Sequence, residues 1–64
     1  MKPRDKAIEE LNAFGYEFKR HGGNHDIYYN SKIGCMIPLK RHDFNENDLR
    51  YIKSEIKKYG REQG

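Results

Sequence analysis

The chain has a single cysteine, Cys35, so no disulfide can close within it. It has no tryptophan and two prolines, and no apolar run approaches the roughly 20 residues that a membrane-spanning helix needs. Metal-ligand spacing is also missing. His21 and His25 stand four apart, but the glycines between them argue against the helix that would bring them together, and adding His42 or Cys35 gives no recognised zinc pattern. Hydrophobic residues make up only 34% of the chain, so stability must come from a lean packed core without a covalent or metallic staple. These absences point to a cytoplasmic protein with no membrane span, metal or cofactor. The 64 residues form one folding unit, 1–64, with an expected ordered core of about 3–60. So short a chain buries roughly 60% of its unfolded surface, which makes a stabilising partner an expectation on physical grounds.

What the chain does have is charge and patterned aromatics. Thirteen Lys and Arg against ten Asp and Glu give a net charge of +3 and a pI near 9.1, a balance suited to an anionic partner such as nucleic acid. Five tyrosines and three phenylalanines argue against a disordered tail. After Pro3, which suits a first helical turn, Ala7, Ile8 and Leu11 recur at helical spacing. Gly15 is expected to end that helix, with Phe14 turned inward. Tyr16 to Arg20 alternate aromatic and charged residues, as a strand with one buried face does, and His21, Gly22, Gly23 and Asn24 read as a turn. His25 to Tyr29 form a second strand, Asn30 to Lys32 a polar turn, and Ile33 to Leu39 a third strand, with Pro38 at its end or on a sheet edge. Asn45 reads as the N-cap of a last helix, with Asp48 three residues on, and Phe44 and Leu49 at hydrophobic-staple spacing. Leu49, Ile52 and Ile56 then face the sheet, Arg50, Lys53, Lys57 and Lys58 face water, and Gly60 suits the C-terminal cap before a frayed tail. The fold class is therefore α+β, in the order α-β-β-β-α. A three-stranded antiparallel sheet carries both helices on one face, as in a double-stranded-RNA-binding domain.

The segment His21-Gly22-Gly23-Asn24-His25 is the most informative for chemistry. Its glycines let a ligand approach the backbone, and an imidazole stands at the mouth of the next strand. His25 is the candidate acid or base, although a histidine near a turn is commonly just a solvated side chain. Strand parity adds that His25, Ile27 and Tyr29 share a face, so a core Ile27 would aim His25 inward. Lys19, Arg20, Lys40 and Arg41, with His42 beside them, are candidates for holding phosphates, and Gly22, Gly23 and Asn24 complete the RNA-binding set. Tyr28 and Tyr29 suit either base stacking on an open face or cross-strand core pairing. Cys35 reads as a core residue.

Taken in order, Gly15-Tyr16, the run Gly23-Asn24-His25-Asp26-Ile27-Tyr28, then Ile37-Pro38, Arg41-His42, and Leu49 with Ile52 resemble the HicA family of bacterial toxins over nearly the whole chain. The resemblance implies a double-stranded-RNA-binding-like fold and a metal-independent mRNA endoribonuclease that arrests translation, with His25 as the catalytic histidine. It further implies a HicB-like antitoxin that covers the active face, and a free monomer that joins a larger complex with it. Asn24 stands where the family usually has serine, and Asp26 where a second histidine often follows. The alternatives are a non-catalytic RNA-binding module of the same fold, which a buried or hydrogen-bonded His25 would favour, and a protein-binding adaptor.

Overall fold

The computed structural model describes the backbone of residues 1–63 and the side chains of residues 1–61. Helix α1 (Pro3–Ala13) is followed by strands β1 (Glu17–Gly22), β2 (His25–Asn30) and β3 (Cys35–Lys40) and by helix α2 (Glu46–Gln63). The strands pair antiparallel in the order β1-β2-β3, so β2 is central. This is the α-β-β-β-α order that the sequence pattern predicts.

Pro3 opens α1 without needing the hydrogen bond it cannot donate. The helix ends in a Schellman turn: Tyr16 N donates to Leu11 O at 2.9 Å and Gly15 N to Asn12 O at 3.2 Å, with Gly15 at φ 90°. That turn carries the chain back so that Tyr16, not Phe14, enters the core. Phe14 is 56% exposed, against the expectation that it turns inward. Asn30 fastens the same corner from the end of β2. Its Nδ2 donates to Phe14 O at 2.9 Å and its Oδ1 accepts from Lys32 N at 3.0 Å.

One face of the sheet meets both helices. Ala7 and Leu11 of α1, Leu49, Ile52 and Ile56 of α2, and Tyr16, Tyr28, Ile37 and Leu39 form a single core, with Ile8, Ile33, Cys35, Phe44 and Tyr59 packed around it. Parity along β2 runs opposite to a core Ile27. Asp26, Tyr28 and Asn30 point inward, while His25 is exposed and Ile27 and Tyr29 are half-buried on the open face. Tyr28 therefore packs instead of stacking on a base. β1 is an edge strand whose residues are all exposed except Gly22, so Phe18, 48% exposed, has no buried face to serve. It meets Tyr28 edge-on across the ladder, at 6.0 Å between ring centroids. A bulge between Phe18 and Arg20 breaks the register.

Three boundaries differ from the sequence expectation by two residues or more. β1 extends through His21 to Gly22, leaving Gly23 and Asn24 as a two-residue hairpin tip, with positive φ at Gly23 only. β3 starts at Cys35 because Ile33 and Gly34 belong to the preceding turn, where Gly34 has φ 67°. α2 continues through Gly60, which does not take the left-handed backbone that would stop it, so glycine lowers helix propensity there without ending the helix. Gly64 lies outside the described residues. Pro38 sits within β3 on the sheet edge, where its missing N–H costs no ladder bond. The start of α2 follows its sequence signal closely. Asn45 Oδ1 accepts from the backbone N–H groups of Asn47 and Asp48 at 2.9 and 3.1 Å, and Asp48 Oδ2 accepts from Asn45 N at 2.9 Å. Among the described residues no helix is long and apolar enough to cross a membrane.

Two stability outcomes follow. Asn45→Ala should lower unfolding free energy by about 1 kcal/mol in urea titration, because it removes the acceptor for two orphan N–H groups. Tyr16→Phe should leave stability unchanged or raise it by about 1 kcal/mol, because the Tyr16 hydroxyl is buried without a hydrogen-bond partner among the described residues.

Candidate functional site at the β1–β2 hairpin

The β1–β2 tip is narrow because it is built from small residues. A side chain at Gly23 would meet nothing within 4 Å, so the backbone there lies open to a ligand. Behind the tip, one rung of the sheet aligns Gly22, His25 and Lys40 on the open face. Arg20 reaches the same rung: its Nη1 lies 3.0 Å from the place a Gly22 Cβ would take, and a side chain at Gly22 would displace it. Arg20, His25 and Lys40 therefore form a row of an imidazole between two cations. The His25 side chain is exposed and makes no hydrogen bond to any described residue.

Beside this row lies a groove of about 200 Å³. His25, Pro38 and Lys40 line it from the sheet, Phe44 from the loop before α2, and Asp48, Tyr51 and Ile52 from α2 itself. Its walls are apolar and aromatic, its rim charged. Lys40 Nζ is 3.6 Å from Asp48 Oδ2 and 3.3 Å from Asp43 O, contacts weak enough at this exposure to be exchanged for a phosphate. A larger hollow of about 500 Å³ at the other end of the hairpin, between Gly15, Lys19, Tyr29 and Lys32, holds no histidine.

On the opposite side of the hairpin, Asp26 gathers charge from three elements. Arg4 of α1 donates from Nη2 to Asp26 Oδ2 at 2.6 Å and from Nε to Lys40 O at 3.0 Å. His21 of β1 places Nδ1 2.7 Å from Asp26 Oδ1. Arg41 follows β3, and its Nε approaches the same oxygen to 3.4 Å without the alignment of a hydrogen bond. Arg41 also ties down the tip, donating from Nη2 to Gly23 O and from its backbone N to Asn24 O at 3.1 Å. The hydrogen bond to His21, with the hydrogen bond from Arg4 and the charges of both, holds the Asp26 carboxyl below its ordinary value of 3.8, outweighing the burial that pushes it up.

The structure thus brings together Arg20, Gly22, Gly23, Asn24, His25 and Lys40. Lys19 is elsewhere: from the bulge its Nζ lies 4.4 Å from the Tyr29 ring centroid, at the far end of β2. Arg41 is at the hairpin but is occupied by Asp26 and the tip carbonyls. Phe44 and Asp48 carry no site signal in the sequence because the start of α2 accounts for them, and Tyr51 carries none because it is one exposed residue on that helix. Asp26 was legible only as a departure beside His25, although its parity with Tyr28 was a signal that it points inward. Among the described residues no three His, Cys, Asp or Glu side chains gather to hold a metal ion. No family model, curated protein or solved structure matches the chain.

The pH dependence of stability has a definite sign. Because the folded Asp26 pKa is lowered, its stabilising contribution is complete above 3.8 and is lost as pH falls from there through the folded value. Urea midpoints should therefore fall between pH 5 and pH 3 in the wild type. Asp26→Asn should be less stable at pH 7 and should lose less over the same interval.

Proposed function

We propose that the chain is an endoribonuclease toxin of a type II toxin–antitoxin pair, resembling HicA, that cleaves mRNA and arrests translation. The observation that carries this reading is the solvent-facing imidazole of His25, set between Arg20 and Lys40 at an open glycine tip, beside an aromatic groove. Each part suits one step of RNA cleavage. Arg20 and Lys40 attract the phosphate backbone by charge, which gives affinity without sequence readout. The groove between Pro38, Phe44 and Tyr51 gives an unstacked base an apolar place to lie. Gly22 and Gly23 let the strand approach the backbone closely.

His25 then acts as general acid or base on the ribose 2′-hydroxyl and the adjacent phosphodiester, without a metal ion. An imidazole suits the work because it exchanges protons near neutral pH. With few catalytic groups the rate is modest, since one acid–base group contributes about 10² to 10⁴-fold. A toxin needs no more than that to halt growth. The site is shallow and exposed, so a HicB-like antitoxin could neutralise it by covering this face. A non-catalytic RNA-binding module is the rival reading, and it is disfavoured by a His25 that is neither buried nor hydrogen-bonded.

His25→Ala should remain folded, because the side chain is exposed, and should cut single-stranded mRNA at least about a hundredfold more slowly than the wild type in EDTA. A folded His25→Ala protein that cuts at the full rate would falsify the assignment. RNA binding without cleavage by the wild type would favour the binding module.

A further inference from the structure

The bulge in β1 changes which side chains reach the open face of the sheet. A regular strand would send Lys19 and Arg20 to opposite faces. Here Phe18 pairs with Tyr28 on the helix side and Arg20 pairs with Ile27 on the open side, so Lys19 is the extra residue between them. Its Nζ lies 4.4 Å from the ring centroid of Tyr29, which shares the open face with Ile27 and His25. Two consecutive cations are thus turned to the side that the helices leave uncovered.

Lys19 is held there without being neutralised. The Tyr29 ring attracts the ammonium through its quadrupole and leaves N–H donors pointing away from the ring, whereas a carboxylate partner would cancel the charge. Among the described residues neither Lys19 nor Lys32 makes an ion pair. Both line the hollow of about 500 Å³ beside Gly15 and Tyr29, and the one acid in its wall, Glu17, is paired with neither. The hollow therefore carries uncompensated positive charge around an aromatic floor.

This hollow is continuous with the site at His25. His25 and Tyr29 lie on the same face of β2, four residues apart, which is roughly 13 Å at about 3.3 Å per residue. Arg20 and Lys19 follow the β1 side of that face, and Ile27, Pro38 and Met36 give an apolar surface beside them. Cations tracking a backbone next to apolar and aromatic surface are what a single strand of nucleic acid needs. We propose that the hollow between Lys19, Tyr29 and Lys32 is a second RNA subsite, holding a backbone phosphate of the same strand a few nucleotides from the linkage at His25, with Tyr29 as the positioning residue for Lys19. The proposal rests on the RNA-cleavage reading and extends its footprint from the hairpin tip across the open face.

The test measures, by fluorescence anisotropy, binding of the full chain to a labelled 2′-deoxy-substituted single strand of about eight nucleotides, a length within the range of single-strand sites. Lys19→Ala and Lys32→Ala, with melting temperatures near the wild type, should each weaken binding about fivefold at low salt and lower the slope of log affinity against log salt by about 0.7. Lys57→Ala removes the same charge from the outer face of α2 and should stay within about twofold of the wild type. Glu17→Gln should tighten binding. Tyr29→Leu should weaken it towards the level of Lys19→Ala, and Tyr29→Phe should restore it, because the ring holds the ammonium and the hydroxyl does not. In mRNA cleavage Lys19→Ala should raise KM rather than lower kcat. Wild-type affinity in Lys19→Ala, an equal loss in Lys57→Ala, or displacement of the strand by a poly-glutamate peptide as readily as by unlabelled strand overturns the subsite while leaving the reading at His25 standing. Absence of salt-dependent strand binding by the wild type overturns the RNA reading itself.

Discussion

The ionised Asp26 side chain, buried in a 64-residue protein with a lean core, is the constraint on which the rest of the arrangement depends. An unpaired carboxylate there would be costly, and the fold meets that cost by bringing Arg4 from α1, His21 from β1 and Arg41 from beyond β3 to one side chain. Three segments distant in sequence are thereby fixed at one end of the sheet. The apolar core does the same at the centre, but it cannot set the direction of the β1–β2 tip. Arg41 does so, through Asp26 on one side and the Gly23 and Asn24 carbonyls on the other.

This division explains why the hairpin can be both open and ordered. Its open face presents Arg20, His25 and Lys40, none of them held by a strong ion pair to any described residue. The other face is drawn inward by the Asp26 network. A tip built from glycine would ordinarily be loose, and here side-chain bonds from outside the hairpin compensate for its lack of side chains. The candidate site and the Asp26 network thus lie on different faces of the same sheet, so substitutions of open-face side chains leave that network intact.

Much of the fold was legible because it rests on local signals. Asn45, Asp48, Phe44 and Leu49 specify the start of α2, and the Leu49, Ile52 and Ile56 stripe specifies its buried face. The errors came where tertiary context decides. Phe14 and Tyr16 are both aromatic, and the Schellman turn at Gly15 selects the one that enters the core. Ile27 and Tyr28 offered two parities for β2. The polar neighbours Asp26 and Asn30 made the correct one look wrong, since each is buried through partners that no spacing rule reveals. The Gly22 to His25 segment was visible in sequence as a candidate site, whereas the Asp26 network and the groove wall from α2 required the packed structure.

The proposed function requires the hairpin tip and its cations to receive RNA. The most direct measurement is two-dimensional NMR of the isotopically labelled chain, with backbone, imidazole and lysine signals followed as a 2′-deoxy-substituted, uncleavable oligonucleotide is added. Shifts are expected to concentrate at Arg20, Gly22, Gly23, His25, Lys40 and Tyr51 and to weaken as salt is raised. Shifts confined to the exposed face of α2, or none at low salt, would contradict it.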